Sequence, residues 1–359
     1  MSVQRDFFVV NNIVMEDERA QVIQVSNMLR GFVDAGASPR YLWPSYGKQC
    51  TLLTLSGADL LPVHCHFRHG IARYAEFMVR LAVMLWSLPA WPVFTRSLPV
   101  AIMAARFSPC TVLELHDPPT RAQKAILRML PDTVRIVCNS GGTAWQFTKQ
   151  GIPAERMTVL HNSVDWERFA SATSLPMDRK PMPSRKCRVN HLYVGALKPE
   201  RGLDLILHAA RTLPDHGFVL VGAEGGAEGI AIDLPNVLVH PRIPWADVPS
   251  FLVSYDTLLA PYRSDLKTRE TMSPLKLFEY LASGVPVVIS DIGPVREVVG
   301  DDGAWLFNPD DPDSFVRALV DSSEGGGSRE KAAKGQEIVK NKFSRASRVT
   351  NLLQLIQNY

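Results

Sequence analysis

The chain has 359 residues, of which 46% are hydrophobic and 21% charged, and its net charge is +3. At about 100–200 residues per domain this is enough for two cores. The balance excludes a disordered chain, a collagen-like repeat and a coiled coil. The positive excess is too small to argue for nucleic acid, but it admits an anionic substrate or an acidic surface.

Residues 1–10 lack the basic start and long apolar run of a signal peptide. Five cysteines, Cys50, Cys65, Cys110, Cys138 and Cys187, are widely spaced, with no close pair of the kind zinc sites use. They read as reduced, buried thiols and suggest a reducing, cytoplasmic setting. In the first half, short apolar runs at 7–10, 52–55, 112–115 and 134–138 read as strands, with amphipathic helices at 18–33 and 121–130. Runs that are apolar on both faces suggest a parallel sheet covered by helices. Asn11 and Asn12 follow the first strand, with Glu16 and Arg19 nearby.

The most apolar window, 77–94, is interrupted by Arg80, Pro89 and Pro92, so a clean spanning helix is not expected. Residues 69–96 combine Arg73, Arg80 and Arg96 with Tyr74, Phe77, Trp86, Trp91 and Phe94. That mixture suits peripheral contact with an anionic membrane surface, and equally a buried helix with basic ends. His64, His66 and His69 lie beside Arg68 and read as surface or cleft polarity, since no obvious metal site is completed around them. His116 ends a strand and is followed by Asp117, which is placed to orient its ring.

The stretch 171–188 is rich in proline, serine and basic residues and reads as a linker between a first domain at 1–170 and a second at 189–340. Strands are expected at 191–195, 218–222, 237–239, 257–260 and 286–290, with helices at 203–213, 246–254, 275–283 and 312–320. The glycine patch at 324–328 reads as a surface loop. Residues 344–359 have helical spacing at Val349, Leu352, Leu353 and Ile356, and this helix is able to pack on either domain. The expected class is α/β, with two doubly wound, Rossmann-like halves.

Two segments of the second half look like a site. Ser273 and Pro274 suit the cap and first position of a helix that Gly284 ends. Lys276 in its first turn is unfavourable for the helix dipole unless an anion binds there. Glu279 lies on the same helical face. Gly195 ends a strand, where a glycine lets backbone approach a ligand, and Lys198 and Arg201 follow it in a loop. Asp301-Asp302 and Asp310-Asp311 lie in polar turns and read as solvated.

Taken in this order, the segments Gly195 to Gly202 and Ser-Pro-Leu-Lys-Leu-Phe-Glu-Tyr-Leu-Ala at 273–282 resemble the family 4 retaining glycosyltransferases. Arg201 matches the basic residue before the loop glycine. Glu279 matches the second of the family's two glutamates, while Thr271 stands in place of the first and Glu270 is out of register. The turns at 159–165, 236–243 and 255–262 are similar to further landmarks of that family, as are 94–97 and 113–117.

The resemblance implies a GT-B fold, two Rossmann-like domains facing across a cleft. It implies transfer of a sugar, with retention, from a nucleotide-diphosphate sugar to a glycan, lipid-linked or small-molecule acceptor, without a metal or other cofactor. Implied donor contacts are Gly195, Arg201, Arg242, Ile243, Ser273, Pro274, Leu275, Lys276 and Glu279. Arg96, His116 and Asp117 would face the acceptor, and His116, Arg201, Lys276 and Glu279 would serve catalysis. A sugar-nucleotide 2-epimerase of the same fold and a non-catalytic nucleotide- or glycan-binding relative are the alternatives. The implied setting is the cytoplasm, including the inner face of the plasma membrane.

Overall fold

The computed structural model describes residues 6–12, 20–47, 51–173, 180–184, 186–223 and 232–357. Glu16, Arg19, Cys50 and residues 174–179 of the expected linker lie outside the described residues. The chain divides into two compact units, 1–161 with 345–359, and 162–344.

The strands of the first unit are β1 (Asp6–Val10), β2 (Ser38–Ser45), β3 (Asp59–His64), β4 (Val93–Thr95), β5 (Thr111–Leu115), β6 (Val134–Cys138) and β7 (Met157–Val159). They form one sheet in the order β3-β2-β1-β4-β5-β6-β7, and every pairing is parallel. The intervening helices are α1 (Ala20–Asp34), α2 (Thr51–Thr54), α3 (Gly70–Ser87), α4 (Leu98–Ala104), α5 (Arg121–Ile126) and α6 (Gly141–Thr148). Local chemistry sets several of their starts. Thr120 and Gln123 close a reciprocal capping box on α5, and Ser140 caps α6 by accepting the Thr143 N–H.

The strand expected at 52–55 is absent, because 51–54 is the helix α2. A four-residue apolar run has no period long enough to tell strand from helix. The real second strand, β2, was concealed by its two prolines. The Leu42 carbonyl accepts the Asn11 N–H, so even-numbered residues of β2 direct their backbone groups to β1 and odd-numbered ones to β3. Pro44 lies beyond the end of the β1 pairing, and Pro39 precedes the start of the β3 pairing. Neither position needs the N–H that proline lacks.

The second unit opens with α7 (Trp166–Ala170) and continues with β8 (Val189–Val194), α8 (Leu203–Thr212), β9 (His216–Ala223), β10 (Val237–Pro241), α9 (Val248–Leu252), β11 (Thr257–Ala260), α10 (Leu275–Ala282), β12 (Val287–Ser290), α11 (Gly293–Val299), β13 (Trp305–Phe307), α12 (Pro312–Glu324) and α13 (Ser328–Lys342). Its sheet is also all parallel, ordered β10-β9-β8-β11-β12-β13. The sequence boundary at 170 shifts to 161, since Val164 and Phe169 are buried in the second unit's core with Leu277 and Phe278.

The last helix, α14 (Arg345–Gln357), returns to the first unit, where Val349, Leu352 and Ile356 join the core around Phe7, Leu29 and Phe94. Each sheet reverses its strand order once, between β1 and β4 and between β8 and β11. In open α/β sheets ligands gather beyond the carboxyl ends of strands at such points.

Candidate functional site

In the second unit, β8 and α10 bring Gly195 and Lys276 together. The Lys276 Nζ lies 4.0 Å from the ring centroid of Tyr193 and 6.0 Å from those of Tyr262 and Tyr280. Gly195 has φ +151°, and a Cβ built on it would stand 2.8 Å from that Nζ. The glycine therefore leaves room for the lysine as well as taking a backbone angle that side chains disfavour. Tyr193 Oη donates to the Ala196 carbonyl at 2.8 Å, and Tyr280 Oη accepts the Val194 N–H at 2.9 Å. The turn after β8 is thus pinned from both sides by the tyrosines that surround the ammonium.

Arg201 completes this nest. Its Cζ is 5.6 Å from the Tyr262 ring centroid. Gly202 takes the left-handed conformation at φ 75° before α8, and a Cβ there would overlap the Pro261 carbonyl. Burial pushes the Lys276 ammonium down to about 7, and the Arg201 charge pushes it the same way against the pull of Glu279. Burial raises Glu279, while Arg168 and then Lys276 lower it. Two cations and one carboxylate share a partly dehydrated pocket, so the pocket has an excess of positive charge suited to an anion.

Arg168 was not singled out in sequence. It comes from α7, donates to the Trp245 carbonyl at 2.6 Å and lies 3.2 Å from the centroid of that indole. Tyr193, Tyr262 and Tyr280 were also missed, because their role depends on β8, the end of β11 and α10 meeting. The only sequence signal for Arg168 was its place just after the turn at 159–165.

Ser273 departs from expectation. Helix α10 starts at Leu275 with Pro274 in the cap position and no side-chain cap. The Ser273 Oγ instead accepts the Asn162 backbone N–H at 2.8 Å, and the Asn162 Nδ2 donates to the Ser273 carbonyl at 2.6 Å. The serine is used to tie down the turn at 162, which leaves the first turn of α10 uncapped beside Lys276. Leu275 is exposed. Arg242 and Ile243 follow the edge strand β10, two strands from β8; Arg242 is exposed, and Ile243 packs on the core. Lys198 is also exposed. Thr271 is buried, and Glu270 points outward and pairs with Arg269 at 3.0 Å.

In the first unit, Arg96 and His116 do meet, through a residue the sequence did not suggest. Glu114 on β5 is fully buried and receives Arg96 Nε at 2.6 Å and Arg348 of α14, with His116 Nε2 at 3.3 Å. Burial alone would raise this carboxyl, but Arg96, Arg348 and His116 outweigh it and hold it well below the usual range. Asp117 is exposed, so the carboxylate that faces the imidazole is Glu114 and not its sequence neighbour. Asn139 Nδ2 donates to the His116 carbonyl at 3.0 Å and fixes the end of the strand.

His66 finds a carboxylate after all, Glu76 at 2.8 Å, because α3 folds back on the loop after β3. Among the described residues no group of three or more His, Cys, Asp or Glu side chains is placed to hold a metal ion. Asp310 and Asp311 are not simply solvated: Asp310 accepts from the Ser264 N–H, and Asp311 caps α12. Among the described residues no helix is long and apolar enough to cross a membrane.

Residues 188–324 match the family described as Glycosyl transferases group 1. TuaH of Bacillus subtilis (strain 168), whose name assigns it to teichuronic acid biosynthesis as a glycosyltransferase, is 29% identical over 171 residues, 46% of this chain and 42% of that protein. The chain spans about half the length of the known relatives it matches. A glycosyltransferase from Rickettsia africae superposes over 98% of both chains with a TM-score of 0.78 at 12% identity. The Anabaena protein Alr3699/HepE, solved with UDP and glucose, superposes over 98% of this chain and 100% of its own with a TM-score of 0.73 at 14% identity. These likenesses show the fold: two parallel-sheet, Rossmann-like domains with GT-B glycosyltransferases as structural neighbours.

Proposed function

We propose that the chain is a retaining glycosyltransferase that moves a hexosyl group from a nucleotide-diphosphate sugar to a glycan, lipid-linked or small-molecule acceptor. The observation that carries the reading is the pair Lys276 and Arg201. Two like charges are drawn together in a tyrosine-lined nest at the carboxyl end of β8, and a diphosphate relieves their repulsion. The match of 188–324 to the group 1 glycosyl transferases supports it. The UDP and glucose in the Anabaena neighbour make uridine diphosphate sugars the first donors to test.

In this reading the bond from the anomeric carbon to the diphosphate oxygen breaks, and its electron pair goes to that oxygen. Arg201, Lys276 and the uncapped first turn of α10 stabilise the charge that develops there. An acceptor hydroxyl oxygen bonds to the anomeric carbon on the same face, and its proton passes to the leaving phosphate. Side-chain cations supply the counter-charge, so the scheme needs no divalent ion. Glu279 accepts hydrogen bonds from donor hydroxyls, and Gly195, Pro274 and Leu275 line the approach. His116 and Arg96 serve the acceptor side. The setting is cytoplasmic, in keeping with the free thiols of Cys65, Cys110, Cys138 and Cys187.

The test is thermal stabilisation by a panel of nucleotides and nucleotide sugars with a chelator present. A shift with one diphosphate series, lost in Arg201→Ala and Lys276→Ala, is expected. Equal shifts in wild type and both variants would sink the assignment. Nucleotide release that requires an acceptor separates transfer from epimerisation and from binding alone.

A further inference from the structure

Helix α3 presents two opposite faces. Phe77, Leu81 and Leu85 are buried against the first unit's core. On the other side Ile71 is 89% exposed, Val79 65%, Val83 59% and Trp86 79%. Positions 71, 75, 79 and 83 recur every fourth residue, and Ala75 is exposed among them. They form one apolar stripe along about 20 Å of helix. Phe67, 57% exposed in the loop before the helix, extends it. Five of the eleven large hydrophobic side chains exposed among the described residues fall within 67–86. That is a patch and not the usual scatter.

The charge around the stripe has one sign. Between residues 60 and 113 the sequence holds five arginines, at 68, 73, 80, 96 and 106, no lysine and a single acid, Glu76. That acid is turned inward. It accepts the backbone N–H groups of His66 and Phe67 at 2.8 and 2.9 Å and pairs with Arg80 at 2.9 Å. The surface beside the stripe therefore offers the exposed Arg68, His64 and His69 and the half-buried Arg73, with no carboxylate from this stretch to repel an anionic layer.

We propose that α3 and the loop before it seat the protein on an anionic phospholipid surface. The apolar stripe enters the headgroup boundary, and Arg68 and Arg73 lie at headgroup level. An exposed apolar face flanked by cations is the pattern of interfacial helices, and α3 lies on the surface without crossing it. The inference rests on the first unit alone and does not depend on the nucleotide-sugar reading.

Co-sedimentation with vesicles of phosphatidylglycerol and phosphatidylcholine, compared with phosphatidylcholine alone, tests it. The wild type is expected to pellet with the anionic vesicles at low salt and to be released at high salt. Ile71→Ser with Trp86→Ser should lower partitioning at least about tenfold. Replacing Arg68 and Arg73 by Gln should lower it about fivefold per arginine on anionic vesicles only. Nucleotide-induced thermal stabilisation should be unchanged in both variants, which keeps the two readings separable. If the first pair fails to fold, Val79→Ser with Val83→Ser replaces it. The proposal is overturned if the wild type ignores anionic vesicles at low salt, or if the variants bind them as well as it does. It is overturned too if the serine variants instead convert a dimer to a monomer in sedimentation velocity without changing vesicle binding, which would assign the stripe to a second copy of the chain.

Discussion

Glu114 lies on β5 and His116 is the first residue beyond its end, so the extended backbone turns both side chains to one face and brings the carboxylate to 3.3 Å from the imidazole Nε2. The same carboxylate is held by Arg96 from the neighbouring strand end and by Arg348 from the last helix of the chain. One buried charge thereby joins the sheet, the candidate acceptor-side histidine and the C-terminal helix.

Glu114→Gln should destabilise the protein by about 3 kcal/mol, because it leaves the largely buried Arg348 and the partly buried Arg96 without their shared counter-ion. Urea unfolding measures this. The folded-state pKa is depressed, so the carboxylate's contribution is fully present above the ordinary value of 4.5 and is lost as pH falls through the lower folded value. The gap between wild type and variant should therefore narrow in acid. A gap that stays constant down to the acid transition would contradict the pairing.

The Lys276 ammonium, pushed down to about 7, predicts how a diphosphate binds. An anion favours the charged form, so affinity measured by calorimetry should fall as pH climbs above about 7, and Lys276→Arg should flatten that dependence. Stability has its own sign. Lys276 has a lower pKa folded than unfolded, so holding it charged costs stability below about 7, and the cost is relieved as pH rises toward 10.5. Lys276→Met should gain stability over wild type, most clearly at pH 6, while losing diphosphate binding.

Gly195→Ala places a methyl 2.8 Å from the Lys276 Nζ at a φ of +151°. It should cost roughly 1–3 kcal/mol and displace the lysine. Nucleotide affinity should drop along with thermal stability. Unchanged affinity in a destabilised variant would show that the lysine does not depend on this glycine.

Arg168→Ala removes the largest charge effect opposing the burial of Glu279. The Glu279 carboxyl should then protonate at a higher pH, and nucleotide binding should fail earlier on the acid side than in wild type. The lost hydrogen bond and stacking on Trp245 should cost about 1–2 kcal/mol in unfolding experiments. An unshifted pH profile with the same stability loss would reduce Arg168 to a structural role.

The sequence by itself determined the class of fold and half of the candidate site. Strand β11 occupies 257–260 as read, and α10 runs from 275 to 282 against an expected 275–283. Buried parallel strands are short apolar runs, and Gly284 stops the helix, so both signals are local. Gly195, Arg201 and Lys276 were legible for the same reason, each lying near a strand or helix end that neighbouring residues mark, and Glu279 by its place on the same helical face as Lys276.

Tertiary structure decided the rest. The prolines of β2 are acceptable only because of where β1 ends and β3 begins. Helix α13, SREKAAKGQEIVKNK, has too few apolar positions for its period to announce it, yet Val339 is buried in the second unit's core. Three tyrosines from separate elements set the Lys276 environment, and the orienting carboxylate for His116 is fixed by Arg348, 234 residues further along. Dehydration and charge pairing depend on what folding brings together in space, and spacing along the chain carries no record of them.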